Sequence, residues 1–383
     1  MTDTTAIRTE KNAGPDGAKP PRAGRRTRTP AAALKSLSPG RISIVYLYVI
    51  GFVLFSIWVP DTWLTDITHR TVLNVAFAVP GIAALALLLP LSAGAFDLSI
   101  AGTISATAVT TASLMVNSQW GMWSAIAAGM VVALLAGLVN GLLVVVVRIN
   151  SFIATLATNA VLLAYAEWKS GGIQITGFDK EYINLSSHDL FGGIQIKVLY
   201  LAVLAVILWY IIEHTPFGRY LQATGDNPAA ARLAGVRTSR YVYISLVVSA
   251  LIAGAAGIIQ TASVGAGSAT AGNSFLLPAF AAAFLGATQF KRRFNVWGTL
   301  AAIWVLASGV QGVTLAVGSF SWLNNLFFGV ALIVAVGLSS LLERWQGFRA
   351  ARSRTSVARR GDSPPPPEAP ASAAAPVADG PTT

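Results

Sequence analysis

Long apolar runs alternate with short polar ones over most of the 383 residues. A hydrocarbon core about 30 Å thick takes about 20 apolar residues in a helix, and about 17 to 25 are tolerated. Ten stretches reach or approach that length: 42–59, 71–91, 99–116, 122–147, 152–166, 196–212, 241–262, 274–290, 296–316 and 321–342. The fifth and eighth are short or interrupted, which makes them candidates for tilted, broken or re-entrant pieces held by their neighbours. The pattern predicts an all-α integral membrane protein of about ten transmembrane helices.

Lysine and arginine orient these spans, because cytoplasmic flanks collect them. With both termini cytoplasmic, 23 of the 27 fall inside: nine before the first span, Arg148, four in 214–240, Lys291, Arg292 and Arg293, and six in the tail. Arg70, Lys169, Lys180 and Lys197 remain outside. An even number of spans follows from both ends lying on one side.

Composition supports the same class. Apolar residues make up 54% and charged ones 11% of the chain, against roughly 25% charged in soluble domains. The net charge of +11 lies between and outside the spans, where it sets orientation, and it is not read as a nucleic-acid surface. Without cysteine there is no disulfide, thiolate zinc site or iron–sulfur cluster, and His69, His188 and His214 are too far apart to suggest a metal site. Residues 1–41 read as a disordered basic cytoplasmic arm without a secretory signal, a solvated flank near anionic membrane lipid rather than a specific RNA-binding segment. Residues 346–383 read as a disordered Pro/Ala-rich cytoplasmic tail.

Ion-coupled carriers place ionisable groups within their spans, since such groups are costly there and persist for a purpose. Here Asp97 alone sits deep between apolar stretches, while Glu167, Glu213 and Glu343 fall at span ends. A coupled carrier is disfavoured on that pattern. A phosphate-binding G-x-x-x-x-G-K-[ST] loop is missing too, so any ATP hydrolysis belongs to another subunit.

The polar interruption at 214–240 is the most informative segment. Thr215-Pro216 ends the sixth span. Gly225-Asp226-Asn227-Pro228 reads as a turn followed by a helix start, with Asn227 as N-cap, Pro228 at the first helical position, the run Ala229 to Ala234 carrying Arg232, and Gly235 as the stop. So short a helix needs a surface to pack on. Either its own spans or a partner would serve.

These residues carry a resemblance. The run from Gly218 to Gly235 is similar to the cytoplasmic coupling loop of permease subunits of bacterial ribose/xylose-type ABC sugar importers, in the branched-chain amino acid/sugar permease superfamily. The family pattern G-R-x-x-x-A-x-G-x-N-x-x-A-A-x-x-x-G is met at Gly218, Arg219, Ala223, Gly225, Asn227, Ala230, Ala231 and Gly235. Upstream, Gly94-Ala95-Phe96-Asp97-Leu98-Ser99-Ile100-Ala101-Gly102 resembles the family's G-G-I-D-L-S-V-G, and Ser151 to Leu156 and Ala255 to Gly257 agree as well. The resemblance spans about 42–345 in collinear order. It departs at Ala95, at the inserted Ala101, and at Gly286 to Phe294, where the family has a glycine-rich loop.

The resemblance implies a transmembrane permease domain over 42–345, with spans two to five and seven to ten as inverted repeats. Gly/Ala/Ser-rich stretches recur in both halves, at 92–113 and 253–274. It further implies a second permease subunit, identical or paired, ABC ATPase subunits that use ATP and Mg, and an extracellular or periplasmic solute-binding protein, all in a bacterial cell membrane. No cofactor is bound by this chain itself. Gly218, Arg219, Gly225, Asn227, Pro228, Ala230, Ala231, Arg232 and Gly235 become candidates for coupling to the ATPase.

Gly94, Asp97, Leu98, Ser99, Gly102, Thr155 and Asn159 become candidates for the translocation pathway or gate. Asp97 has a plainer reading as an N-cap, with Leu98 beginning the helix. Thr155, Thr158 and Asn159, like Gln260, Thr261 and Ser263, suit either a pore lining or interhelical hydrogen bonds. The tryptophans, Trp58, Trp63, Trp120, Trp123, Trp209 and Trp345 among them, read as interfacial anchors. The expected function is passage of a monosaccharide, ribose- or xylose-like, without enzymatic activity. A nucleoside, autoinducer-like or amino-acid substrate is the alternative in this class, and a stand-alone facilitator or a scaffold lies outside it.

Overall fold

Helices that are apolar around their whole circumference must bury every face, against protein or against lipid. The computed structural model describes residues 43–289, 293–320, 322–334 and 337. The basic arm, the tail, Lys291, Arg292, Glu343 and Trp345 lie outside them. Besides a four-residue helical turn at Pro60–Trp63, the helices are α1 (Ser43–Trp58), α2 (Asp66–Ser92), α3 (Ile100–Val116), α4 (Met122–Val146), α5 (Ser151–Ser170), α6 (Lys180–Ser187), α7 (Ile196–His214), α8 (Pro216–Asp226), α9 (Pro228–Leu233), α10 (Thr238–Val264), α11 (Asn273–Gln289), α12 (Val296–Val317) and α13 (Trp322–Val334).

Five of them, α2, α4, α7, α10 and α12, are long and apolar enough to cross a membrane, and α1, α3, α11 and α13 are shorter apolar helices. The protein is mainly helical and built for a bilayer.

Helices α2 and α10 form the centre. In their most apolar windows 72% of α2 and 56% of α10 is buried within the protein, against 28% of α7 and 33% of α4 and α12. From Ala78 to Ser92, Pro80 alone in α2 escapes full burial. Helix α10 packs chiefly on α2, α3 and α4, and its small residues Ala253, Gly254, Ala256 and Gly257 let backbones approach. The outer helices turn apolar side chains outward, among them Val203, Val206 and Ile207 of α7, each about half exposed. Such a surface requires lipid.

Several expectations need correction. Helix α5 is not short: it runs unbroken over 20 residues to Gly171, whose φ of 65° closes it. The apolar pattern stops at Ala166, but Glu167 and Lys169 are good helix formers and carry the helix on. Helix α11 does contain an internal proline, Pro278. Two small antiparallel pairs supplement the helices, β1 (Ile175–Thr176) with β4 (Ala266–Gly267) and β2 (Asp189–Phe191) with β3 (Ile194–Gln195). Trp63 is no interfacial anchor. It is 1% exposed, its ring among Phe52, Phe55 and His69.

Candidate functional site

The chain leaves helical geometry between α2 and α3, and the freed backbone groups of that segment find partners on α5. Ser151, Thr155 and Asn159 are spaced by four and so share one face of α5. The Phe96 N–H donates to Ser151 Oγ at 3.1 Å, the Leu98 N–H to Thr155 Oγ1 at 3.0 Å, and the Gly102 N–H to Asn159 Oδ1 at 2.6 Å. This ladder satisfies donors that would otherwise be costly to bury. Thr155 and Asn159 thus hold the 94–102 segment, whichever side of it a solute passes.

Asp97 and Ser99 are wholly buried. Asp97 Oδ1 accepts from the Ser99 N–H at 3.1 Å and from the Ser99 hydroxyl at 2.6 Å, and Ser99 Oγ accepts from Asn140 Nδ2 of α4 at 2.7 Å. The carboxylate closes an Asx turn onto the residue two ahead, Ser99, which is itself the N-cap of α3, so Asp97 is not the cap. Helix α3 starts at Ile100, two residues later than the Leu98 start expected of a cap at Asp97. Asp97 Oδ2, Asn140 Oδ1 and the Ser249 hydroxyl are buried with no hydrogen-bond partner among the described residues. In this connection between helices, burial raises the Asp97 pKa above the ordinary carboxylate value, opposed by the hydrogen bonds from Ser99. Burial favours the neutral carboxyl.

The loop from 214 to 240 folds as two short helices and not as a turn followed by one. Thr215 caps α8 by accepting from the Gly218 N–H, with Pro216 in the first position, so Gly225 and Asp226 form the last turn of α8. The signature was legible, a capping Thr before Pro, and is the one that located α9. Asn227 accepts from the Ala230 N–H at 3.0 Å, Pro228 opens α9, and Gly235 follows it at φ 83°. A Cβ on Gly225 would stand 2.3 Å from the Ser92 carbonyl oxygen and 3.0 Å from the Gly94 nitrogen. The end of α8 therefore lies directly on the backbone that leads to Asp97.

On α9, Ala231 is buried against its own chain, whereas Ala230, Arg232 and Leu233 are exposed, Leu233 at 91%. Ala231 packs inward, and the open face of α9 carries Ala230, Arg232 and Leu233. Gly218 packs against α7, and Arg219 is exposed. From the divergent loop, Arg293 pairs with Asp226 at 2.7 Å and bonds Gln222 at 3.1 Å.

The two candidate sets thus meet at Gly94 and Gly225. Sequence reasoning missed Ser151 as a holding residue, together with Asn140 and Ser249. A stripe at i, i+4 and i+8 was available for the first; Asn140 is a lone polar residue in an apolar run.

The comparisons agree with this architecture. Residues 71–336 match the family described as branched-chain amino acid transport system / permease component, and the chain belongs to that family. It is 31% identical over 264 residues to the L-arabinose transport system permease protein AraH of Escherichia coli (strain K12), covering 68% of this chain and 79% of that one. It is 29% identical over 283 residues to the ribose import permease protein RbsC of the same organism, covering 71% and 84%. With the autoinducer 2 import system permease protein LsrD of Klebsiella pneumoniae subsp. pneumoniae it shares 28% identity over 276 residues, 70% and 82% of the two chains. The protein is a bacterial cell-membrane permease of the sugar ABC importer type.

Proposed function

We propose that this chain forms the translocation pathway for a monosaccharide delivered by a solute-binding protein, working beside a second permease subunit and driven by ATPase subunits that dock on α8 and α9. The observation that carries it is the backbone contact of Gly225 with Ser92 and Gly94, which joins an exposed helix pair to the buried Asp97 segment. Movement of α8 would be felt at the segment between α2 and α3. Ten spans with both termini cytoplasmic fit the 23 to 4 division of basic residues. Inverted halves find support in α2 and α10, which lie five spans apart, are the most buried of the long helices, and each lead through a non-helical segment into the next apolar helix.

Similarity to both sugar permeases and LsrD leaves an autoinducer-like substrate as the second reading. The test of coupling is Leu233→Asp, at a residue 91% exposed. The variant should keep the unfolding temperature of the parent yet lose ATPase co-purification and uptake. Undiminished uptake and co-purification would reject docking at α9.

A further inference from the structure

A cavity of about 610 Å3 opens between the end of α4, the start of α5, α9 and the start of α10, with residues 93–95 along one wall. None of its lining residues is acidic. Arg148 and Arg232 both line it, and among the described residues neither pairs with a carboxylate. Arg148 is held at φ 65°, a conformation a non-glycine residue rarely adopts. Ser151 and Thr238 open two helices of 20 and 27 residues at the cavity, and α10 has no side-chain cap. The Phe152 N–H is taken by Asn150 Oδ1, the Thr238 N–H by the Val236 carbonyl and the Arg240 N–H by the Arg237 carbonyl, so what these ends offer an anion is chiefly the helix dipole. Thr238 is 5% exposed, lines the cavity, and its hydroxyl has no hydrogen-bond partner among the described residues. Its oxygen is not sealed off from the cavity, so the hydroxyl is available to bond whatever occupies that space.

We propose that this cavity binds a phosphate-bearing anion, held by Arg148, Arg232 and Thr238. The rim points to its source. Val144 and Val145 line the cavity, and Leu142, Val146 and Val147 beside them are exposed and apolar. An acyl chain can lie there while its headgroup enters, so the source is an anionic phospholipid of the inner leaflet. The leaflet, though not the site, rests on the cytoplasmic placement of α8 and α9 proposed above. An anion here ties α9 and α10 to the 93–95 segment.

The full-length chain in a nonionic detergent is titrated with dioctanoyl phosphatidylglycerol, dioctanoyl phosphatidylcholine and inorganic phosphate, with the thermal unfolding midpoint as readout. Phosphatidylglycerol should raise the midpoint saturably, and phosphatidylcholine should not. Arg148→Gln with Arg232→Gln should raise the half-saturating concentration about tenfold or more, and Thr238→Val about threefold. The double Arg→Lys variant, expected to keep most of the response, controls for folding. A response to phosphate equal to that of phosphatidylglycerol supports the site and assigns it to a free anion. An equal response to phosphatidylcholine, an undiminished response in the double Gln variant, or no saturable response to either anion overturns it. ATPase and sugar are absent throughout, so failure here leaves the transport reading standing.

Discussion

Gly94 and Gly225 meet backbone to backbone: a Cβ on Gly94 would stand 3.3 Å from the Gly225 α-carbon, and Gly94 holds a φ of 76°. That contact is how the end of α8 reaches the Asp97 segment. Gly225 sits in a helix, where alanine is intrinsically favoured by about 1 kcal/mol. Against that, its Cβ would stand 2.3 Å from the Ser92 carbonyl oxygen, which cannot rotate away. Overpacking of that kind costs about 1–3 kcal/mol, so the contact should win. Gly225→Ala is expected to lower the unfolding temperature of the purified chain. A midpoint unchanged or raised would show that α8 and the segment are not in contact.

The α5 ladder makes a second prediction. Thr155→Val keeps the shape but leaves the Leu98 N–H without an acceptor, at a cost of about 1–3 kcal/mol. Thr155→Ser restores the oxygen and should recover most of it. Equal midpoints for the Val and Ser variants in thermal unfolding would remove the hydrogen bond from the account. Lowered stability in Thr155→Val with uptake per folded molecule unchanged is the expected signature of a holding role.

The sequence revealed those features that depend on short-range pattern. Apolar length located the helices, and Asn227, Pro228 and Gly235 located α9 because caps and stops are local chemistry. The same logic at Thr215-Pro216 finds α8, because a capping Thr before Pro starts a helix as well as ending a span. Contacts between segments far apart in the chain were not legible. Nothing near Ser151 says that its oxygen faces Phe96, and Ala230 and Ala231 are indistinguishable by composition, although one is exposed and the other buried. Trp63 was misplaced for that reason too: only the packing of α1 and the segment after it shows its ring inside.

Topology can be tested directly, because the chain has no cysteine to remove first. Single cysteines at Ser187 and Ser319 should be labelled by an impermeant thiol reagent added to intact cells. A cysteine at Asp226, and at Ser36 and Ser353 beyond the described residues, should be protected until the cells are opened. Asp226 and Ser319 are both exposed in the fold, so protection at one and reaction at the other reports the membrane and not burial. Labelling of Asp226→Cys from outside would reverse the assigned orientation.

Asp97 allows the roles of turn acceptor and charge to be separated. Its Oδ1 accepts from the Ser99 N–H and hydroxyl, and an asparagine oxygen can take both bonds, whereas alanine takes neither. Asp97→Ala should therefore lose about 1–3 kcal/mol, the cost of leaving a buried donor without its acceptor. The raised pKa sets a sign: the buried carboxyl binds its proton more tightly in the folded chain, so its contribution is full below the ordinary carboxylate value and is lost as pH rises through the folded value. Asp97→Asn has no such proton. Its unfolding temperature should gain on the parent's as pH is raised from acid toward neutral, and a constant difference would contradict a carboxyl that titrates high. Uptake in proteoliposomes with ATPase and binding protein then decides the mechanism. A neutral, structural Asp97 predicts full uptake by the Asn variant. A charge used in gating predicts a variant that assembles and hydrolyses ATP but imports little, and the unpartnered Oδ2 would then be the atom whose ionisation matters.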